Sequence, residues 1–140
     1  MEFDWNEFIA TAEDLSKLTS EGSHRSATSR AYYGAFNLAR KRIEDLTGKL
    51  VNGGANSHDQ LWTIYALTGT EYGSDICDFG SKVKLSRTKA DYKDPVADFG
   101  KEYAVASARV TKILDLLKEV KKEDFASSAI SVYLKARPKR

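Results

Sequence analysis

Apolar residues recur along this chain at the three- and four-residue spacing of α-helices, and the breaks between them mark successive helices. Trp5, Phe8, Ala12 and Leu15 predict a first helix from about Glu2 to Leu18, which "TSEGSH" interrupts. Tyr32, Phe36, Ala39, Ile43 and Leu46 form one stripe of a long second helix, near Ser23 to Leu46, with Gly48 as a fitting stop. Its other edge carries Arg30, Tyr33, Asn37 and Lys41. After the loop-like "VNGGANS", Ser57 and Gln60 make a capping box for a third helix that ends near Gly69. A fourth helix is predicted from Tyr72 to about Tyr92, with Ile76, Phe79, Val83 and Ala90 facing inward.

"DYKDP" breaks the pattern, because the residue before a proline is pushed out of the helical region. Asp94 then reads as the cap, and Pro95 as the first turn, of a fifth helix. Val96, Phe99, Tyr103, Ala106, Val110, Ile113 and Leu117 give that helix one continuous apolar seam. The remainder, "EDFASSAISVYLKARPKR", fits a short amphipathic helix or an extended arm, with a basic end. The expected fold is therefore all-α: a single antiparallel bundle of four to five helices over residues 1–123, followed by an amphipathic segment and basic tail at 124–140.

Composition narrows the function classes. A chain of 140 residues, 41% hydrophobic and with two prolines, has the size and apolar content of one domain around one core. No run approaches the roughly 18 apolar residues of a membrane span, and "MEFDWNEF" lacks the order of a signal peptide, so a cytoplasmic protein with no membrane partner is expected. Cys77, the one cysteine, cannot close an internal disulfide and reads as a small core residue. With only His24 and His58 beside it, the usual zinc ligand set is missing, and neither metal nor cofactor is expected. No Gly-rich phosphate loop with its lysine, no Gly-x-Ser-x-Gly and no His-Glu-x-x-His occurs. The net charge of +2 does not by itself mark a nucleic-acid protein, so local patches have to carry that reading.

Two stretches do. In "RSATSRAYYGAFNLAR", Ser29 and Tyr33 stand four apart and Arg30 and Asn37 seven apart, so a helix places them along one face. An arginine fork suits phosphate oxygens and a tyrosine ring offers a stacking surface. The competing reading is packing: Ala31, Gly34 and Ala35 allow close helix approach, with Tyr32 and Phe36 inside. In "LSRTKADYKD", Arg87 and Asp91 are spaced for an ion pair within a basic region that includes Lys84 and Lys89. His58, in the first turn of the third helix, is expected to be neutral and reads as a surface histidine near the helix cap.

"SRAYYGAF", "SHDQLW" and "LSRTKADY" occur in the order and approximate spacing seen in HEPN domains, which the chain resembles from about Glu21 to Leu117. The resemblance implies a small helical bundle, usually a homodimer, often acting beside a nucleotidyltransferase-fold partner in toxin-antitoxin or defence systems. Many such proteins are metal-independent ribonucleases carrying an arginine and, after four to six residues, a histidine. Arg87 matches the arginine; Tyr92 stands where the histidine would. Two readings remain open. One is an RNA- or nucleotide-binding module using Arg30, Tyr33, Asn37, Lys84 and Lys89. The other is an endoribonuclease in which Arg87 steadies the phosphorus centre, Tyr92 acts as acid and Asp91 as base during attack by a 2′-hydroxyl. Either way, Arg30, Arg87 and Tyr92 are expected to converge on one groove.

Overall fold

The computed structural model describes residues 2–53, 57–94 and 98–138. Five long helices dominate: α1 (Asn6–Ser16), α2 (Glu21–Thr47), α3 (Ser57–Leu67), α4 (Glu71–Tyr92) and α5 (Phe99–Leu117). The all-α bundle read from the periodicity is what the chain forms. A 3-10 turn (Lys122–Phe125), a one-turn helix α6 (Ser128–Ser131) and two short strands, β1 (Lys49–Val51) and β2 (Leu134–Ala136), complete it.

Local chemistry sets the helix ends. Ser20 accepts a hydrogen bond from the Ser23 amide to start α2, and Thr70 accepts one from the Gly73 amide to start α4. Gly48 closes α2 in the left-handed region, at φ 70°, where a side chain would be strained. Several ends differ from the sequence reading: α2 begins at Glu21, inside the stretch read as a break, and Ser57, read as a cap, is the first helical residue of α3. Trp5, with no side-chain cap bond, precedes an α1 that starts at Asn6 rather than Glu2. The cap of α5 is Asp98, whose carboxylate accepts from the Lys101 amide at 3.1 Å, not Asp94. Pro95 and Val96 lie outside the described residues, as does the residue preceding Ser57, where a cap of α3 would stand.

α2 is the central column, packed by α1, α4 and α5, while α3 lies mainly against α4. The α5 seam is buried at Phe99, Ala106, Val110, Ile113 and Leu117, with Tyr103 partly covered. Tyr32, Ala39 and Ile43 of α2 are buried, with Phe36 and Leu46 partly so; Ile76, Val83 and Ala90 of α4 are buried too. Cys77 is half-buried rather than a core residue, and burial pushes its thiol up. Small residues let α1 close on α2: a Cβ at Gly34 would come within 3.3 Å of Phe8 Cβ and nearer still to Ile9.

Two arginines of α2 tie the bundle at its ends. Arg25 Nη1 donates to the carbonyls of Lys89 (3.3 Å) and Ala90 (3.1 Å), and its guanidinium lies 4.4 Å from the centre of the Phe99 ring. Arg42 donates to the carbonyls of Leu117 (3.1 Å) and Val120 (3.4 Å). Each cation lies at a helix C-terminus, where the helix dipole favours it. Arg25 thereby fixes the start of α2 beside the end of α4, the juxtaposition on which the candidate site depends.

The C-terminal segment packs on this frame. Phe125 and Ile130 are buried in the same core, and Phe125 meets the Tyr65 ring edge-on at 5.8 Å. The Tyr72 hydroxyl donates to Asp124 at 2.5 Å. β2 runs antiparallel to β1, with Lys49 opposite Ala136 and Val51 opposite Leu134. The pairing is the extended half of the two alternatives read for this segment, although only three residues long.

Candidate nucleic-acid interface

The site forms where α2, α3 and the end of α4 meet. Tyr32 is fully buried, its hydroxyl directed at α3. Trp62 Nε1 donates to that hydroxyl at 3.3 Å, and the hydroxyl lies 2.7 Å from His58 Nδ1. The His58 ring stacks on Phe36, with centroids 4.1 Å apart and planes 20° apart, and faces the edge of Tyr33 at 5.8 Å. His58 is thus half-buried among aromatic rings, not a surface residue at the helix cap.

Arg87 enters from α4. Its Nη2 donates to the Tyr33 hydroxyl, and its guanidinium carbon lies 5.1 Å from the centre of the Tyr33 ring and 5.6 Å from that of Tyr92. Its Nε stands 3.1 Å from Asp91 Oδ2 but is buried without an aligned hydrogen bond. Asp91 also accepts weakly from Ser29 at 3.4 Å. One turn before Arg87, Lys84 forms an ion pair with Asp59 at 2.6 Å.

Both tyrosine and histidine chemistry respond to this setting. Burial drives the Tyr32 phenol well above its ordinary value, so it remains a donor throughout the neutral range. Burial, then the positive charges of Arg87 and Lys84, hold the His58 pKa below its ordinary 6.5, with Asp59 offsetting part of the effect. The imidazole is therefore neutral at pH 7.

The other sequence-read residues fall in different places. Arg30 is exposed, packs over Phe8 at 4.9 Å, and lines an open hollow with Ser29 and Asp91 rather than touching Arg87. Asn37 is committed to the Tyr33 carbonyl at 2.9 Å and to Arg40 at 3.3 Å. Lys89 pairs with Glu102 at 3.6 Å and belongs to the groove between α4 and α5. Arg87, Tyr92, Asp91, Tyr33 and Lys84 come together; Arg30 stands next to them across Asp91; Asn37 and Lys89 point elsewhere. Tyr32 packs inside as the sequence reading allowed, but its contact with His58 was not foreseen. Its only signal was a histidine in the first turn of α3, and nothing in one dimension brings that turn to Tyr32.

Among the described residues, no three histidine, cysteine, aspartate or glutamate side chains are grouped to hold a metal ion, and no helix is long and apolar enough to cross a membrane. Comparison with protein-family models, with curated proteins and with solved structures found no match to this chain.

Proposed function

We propose that this protein is a HEPN-like module that binds single-stranded RNA or a nucleotide and works as a homodimer, with a nucleotidyltransferase-fold protein as its partner in a toxin-antitoxin or defence setting. The observation that carries the reading is Arg87 set against two tyrosine rings, Tyr33 beneath it and Tyr92 beside it, the latter 72% exposed. A guanidinium fork for phosphate next to an open aromatic face for a base is the pairing that sequence-tolerant recognition of single strands requires. Binding is favoured over cleavage because Asp91, the candidate base, is held in an ion pair with Arg87 Nε at 3.1 Å.

Arg87→Ala is expected to weaken binding of a labelled single-stranded oligoribonucleotide by about tenfold or more, on the scale of a lost hydrogen bond to a charged group. Lys112→Ala, which removes an exposed lysine of α5, is expected to change it little, since an isolated surface cation is screened. Affinity should fall as salt rises. Equal losses in the two variants, or no binding by the wild type, would overturn the reading. Rapid formation of 2′,3′-cyclic phosphate ends in chelator, abolished by Arg87→Ala, would establish the cleaving alternative instead.

The dimer would bury the apolar side chain of Leu85 on α4, which is 65% exposed. Sedimentation should show a dimer at micromolar concentration, and Leu85→Asp should shift it to monomer. A wild type that remains monomeric would remove this part of the proposal.

A further inference from the structure

The hydrogen-bond chain behind the site fixes where the histidine proton sits. Trp62 Nε1 can only donate, so the Tyr32 oxygen accepts from it. The Tyr32 hydrogen then needs an acceptor, and His58 Nδ1, at 2.7 Å, is the one in reach. If Nδ1 carried a proton, it and Trp62 would both donate to the same oxygen, and the buried hydroxyl hydrogen would have no acceptor. Leaving such a group unpaired costs about 1–3 kcal/mol, enough to select the other tautomer. The His58 proton therefore resides on Nε2, which has no partner among the described residues and is not one of their buried unpartnered atoms.

The charged and titratable groups facing this ring are Tyr32 and Tyr33 from α2, Asp59 from α3, and Lys84 and Arg87 from α4. Two of them are cations against one anion, Asp59, which Lys84 holds at 2.6 Å, so the groups facing the ring keep a positive balance that suits an anion, and a neutral ring can add a directed donor there without a third mutually repelling charge. We propose that His58 is a recognition residue of the RNA site: its Nε2–H, held by the Trp62–Tyr32–His58 chain, donates to a phosphodiester oxygen that Arg87 and Lys84 also engage. The inference rests on the RNA-binding reading and adds to it a residue, a protonation state and the ligand atom contacted. It also assigns Tyr32 a positioning role, acting on the ligand only through His58. Phe36, stacked on the ring, restrains its plane.

The test pairs a measurement on the free protein with one on binding. Nitrogen-15 spectra of the wild type at neutral pH should show Nδ1 of His58 unprotonated and Nε2 protonated, and Tyr32→Phe should let the two tautomers mix. For the same labelled oligoribonucleotide, His58→Ala should weaken binding by about tenfold, as expected for a hydrogen bond to a charged group. His58→Gln, whose amide can place an N–H near the Nε2 position, should recover most of that affinity. A protonated Nδ1 in the wild type overturns the proposal, as does a glutamine variant as weak as the alanine one. If Arg87→Ala loses binding while His58→Ala binds like the wild type, the site stands and His58 has no part in it. If the wild type does not bind, the RNA reading falls and takes this inference with it. Should His58→Ala fail to fold, the wild-type spectra and the glutamine variant still decide.

Discussion

Gly80→Val is expected to destabilise the protein by roughly 3 kcal/mol or more, beyond the usual 1–3 kcal/mol of an overpacked core position. A Cβ at Gly80 would lie 2.3 Å from Trp62 Cδ2, 2.4 Å from Cε3 and 2.6 Å from Cε2, distances that carbon atoms do not share. The obstacle is a rigid indole, 1% exposed, which cannot swing aside like the tip of a flexible chain. Valine adds two further methyl groups to the same collision. The alanine variant gives a sign test. Helix propensity alone favours alanine over glycine by about 0.5–1 kcal/mol, so stabilisation of Gly80→Ala in urea titration would refute the packing argument. Since Trp62 is also the donor to Tyr32, either variant should disturb the tautomer of His58 together with stability, which one protein sample can report by both readouts.

Glu44→Ala should cost about 2–3 kcal/mol, somewhat below the 3–5 kcal/mol of breaking a fully buried pair because Arg40 retains access to water. The Glu44 carboxylate is buried and serves two partners: Arg40 Nη1 at 2.6 Å and the Val51 amide at 2.9 Å. Alanine leaves Arg40 without its counter-charge and a strand amide without an acceptor in the core. Glu44→Gln keeps one carbonyl oxygen for Val51 and removes only the charge, so its loss should be clearly smaller. Denaturant titration gives the magnitudes, and hydrogen exchange at the Val51 amide localises the effect. Equal losses for the two variants would mean that the charge, not the strand amide, dominates.

The helices were legible because their burial is periodic. The α5 seam from Phe99 to Leu117 is inside where the spacing placed it, and Gly48 stops α2 as its lack of a side chain suggests. The start of α5 was misplaced because Asp94 and Asp98 are equally good capping residues, and only the backbone at Asp98, extended and bonded to the Lys101 amide, chooses between them. The strand pair was not legible as such: three residues give no measurable alternation, and β1 has a partner only because the chain returns from α6.

The candidate site was half readable. Arg87 and Asp91 lie on one helix, so their pairing follows from spacing. Tyr33 and Arg87 meet across two helices that a motif had already associated. His58 did not follow, since its place depends on Trp62 reaching Tyr32, and that depends in turn on a glycine at position 80 thin enough to let the indole lie against α4.

The strand pair has a consequence for the order in which the chain can assemble during synthesis. β2 is the last of the described elements to leave the ribosome, yet its Leu134 sits opposite Val51, whose amide also closes on Glu44, and Arg137 reaches back to the Glu44 carbonyl at 3.5 Å. The helices from α1 to α5 can dock on one another as they emerge, whereas β1 has an open edge until β2 arrives. That closure spans most of the chain, the kind of distant pairing that pays its loop entropy late and folds slowly. A nascent protein stalled before Leu134 would therefore present a helical bundle with its seam formed and an unlatched strand edge at Val51, open to proteolysis or mispairing until β2 emerges.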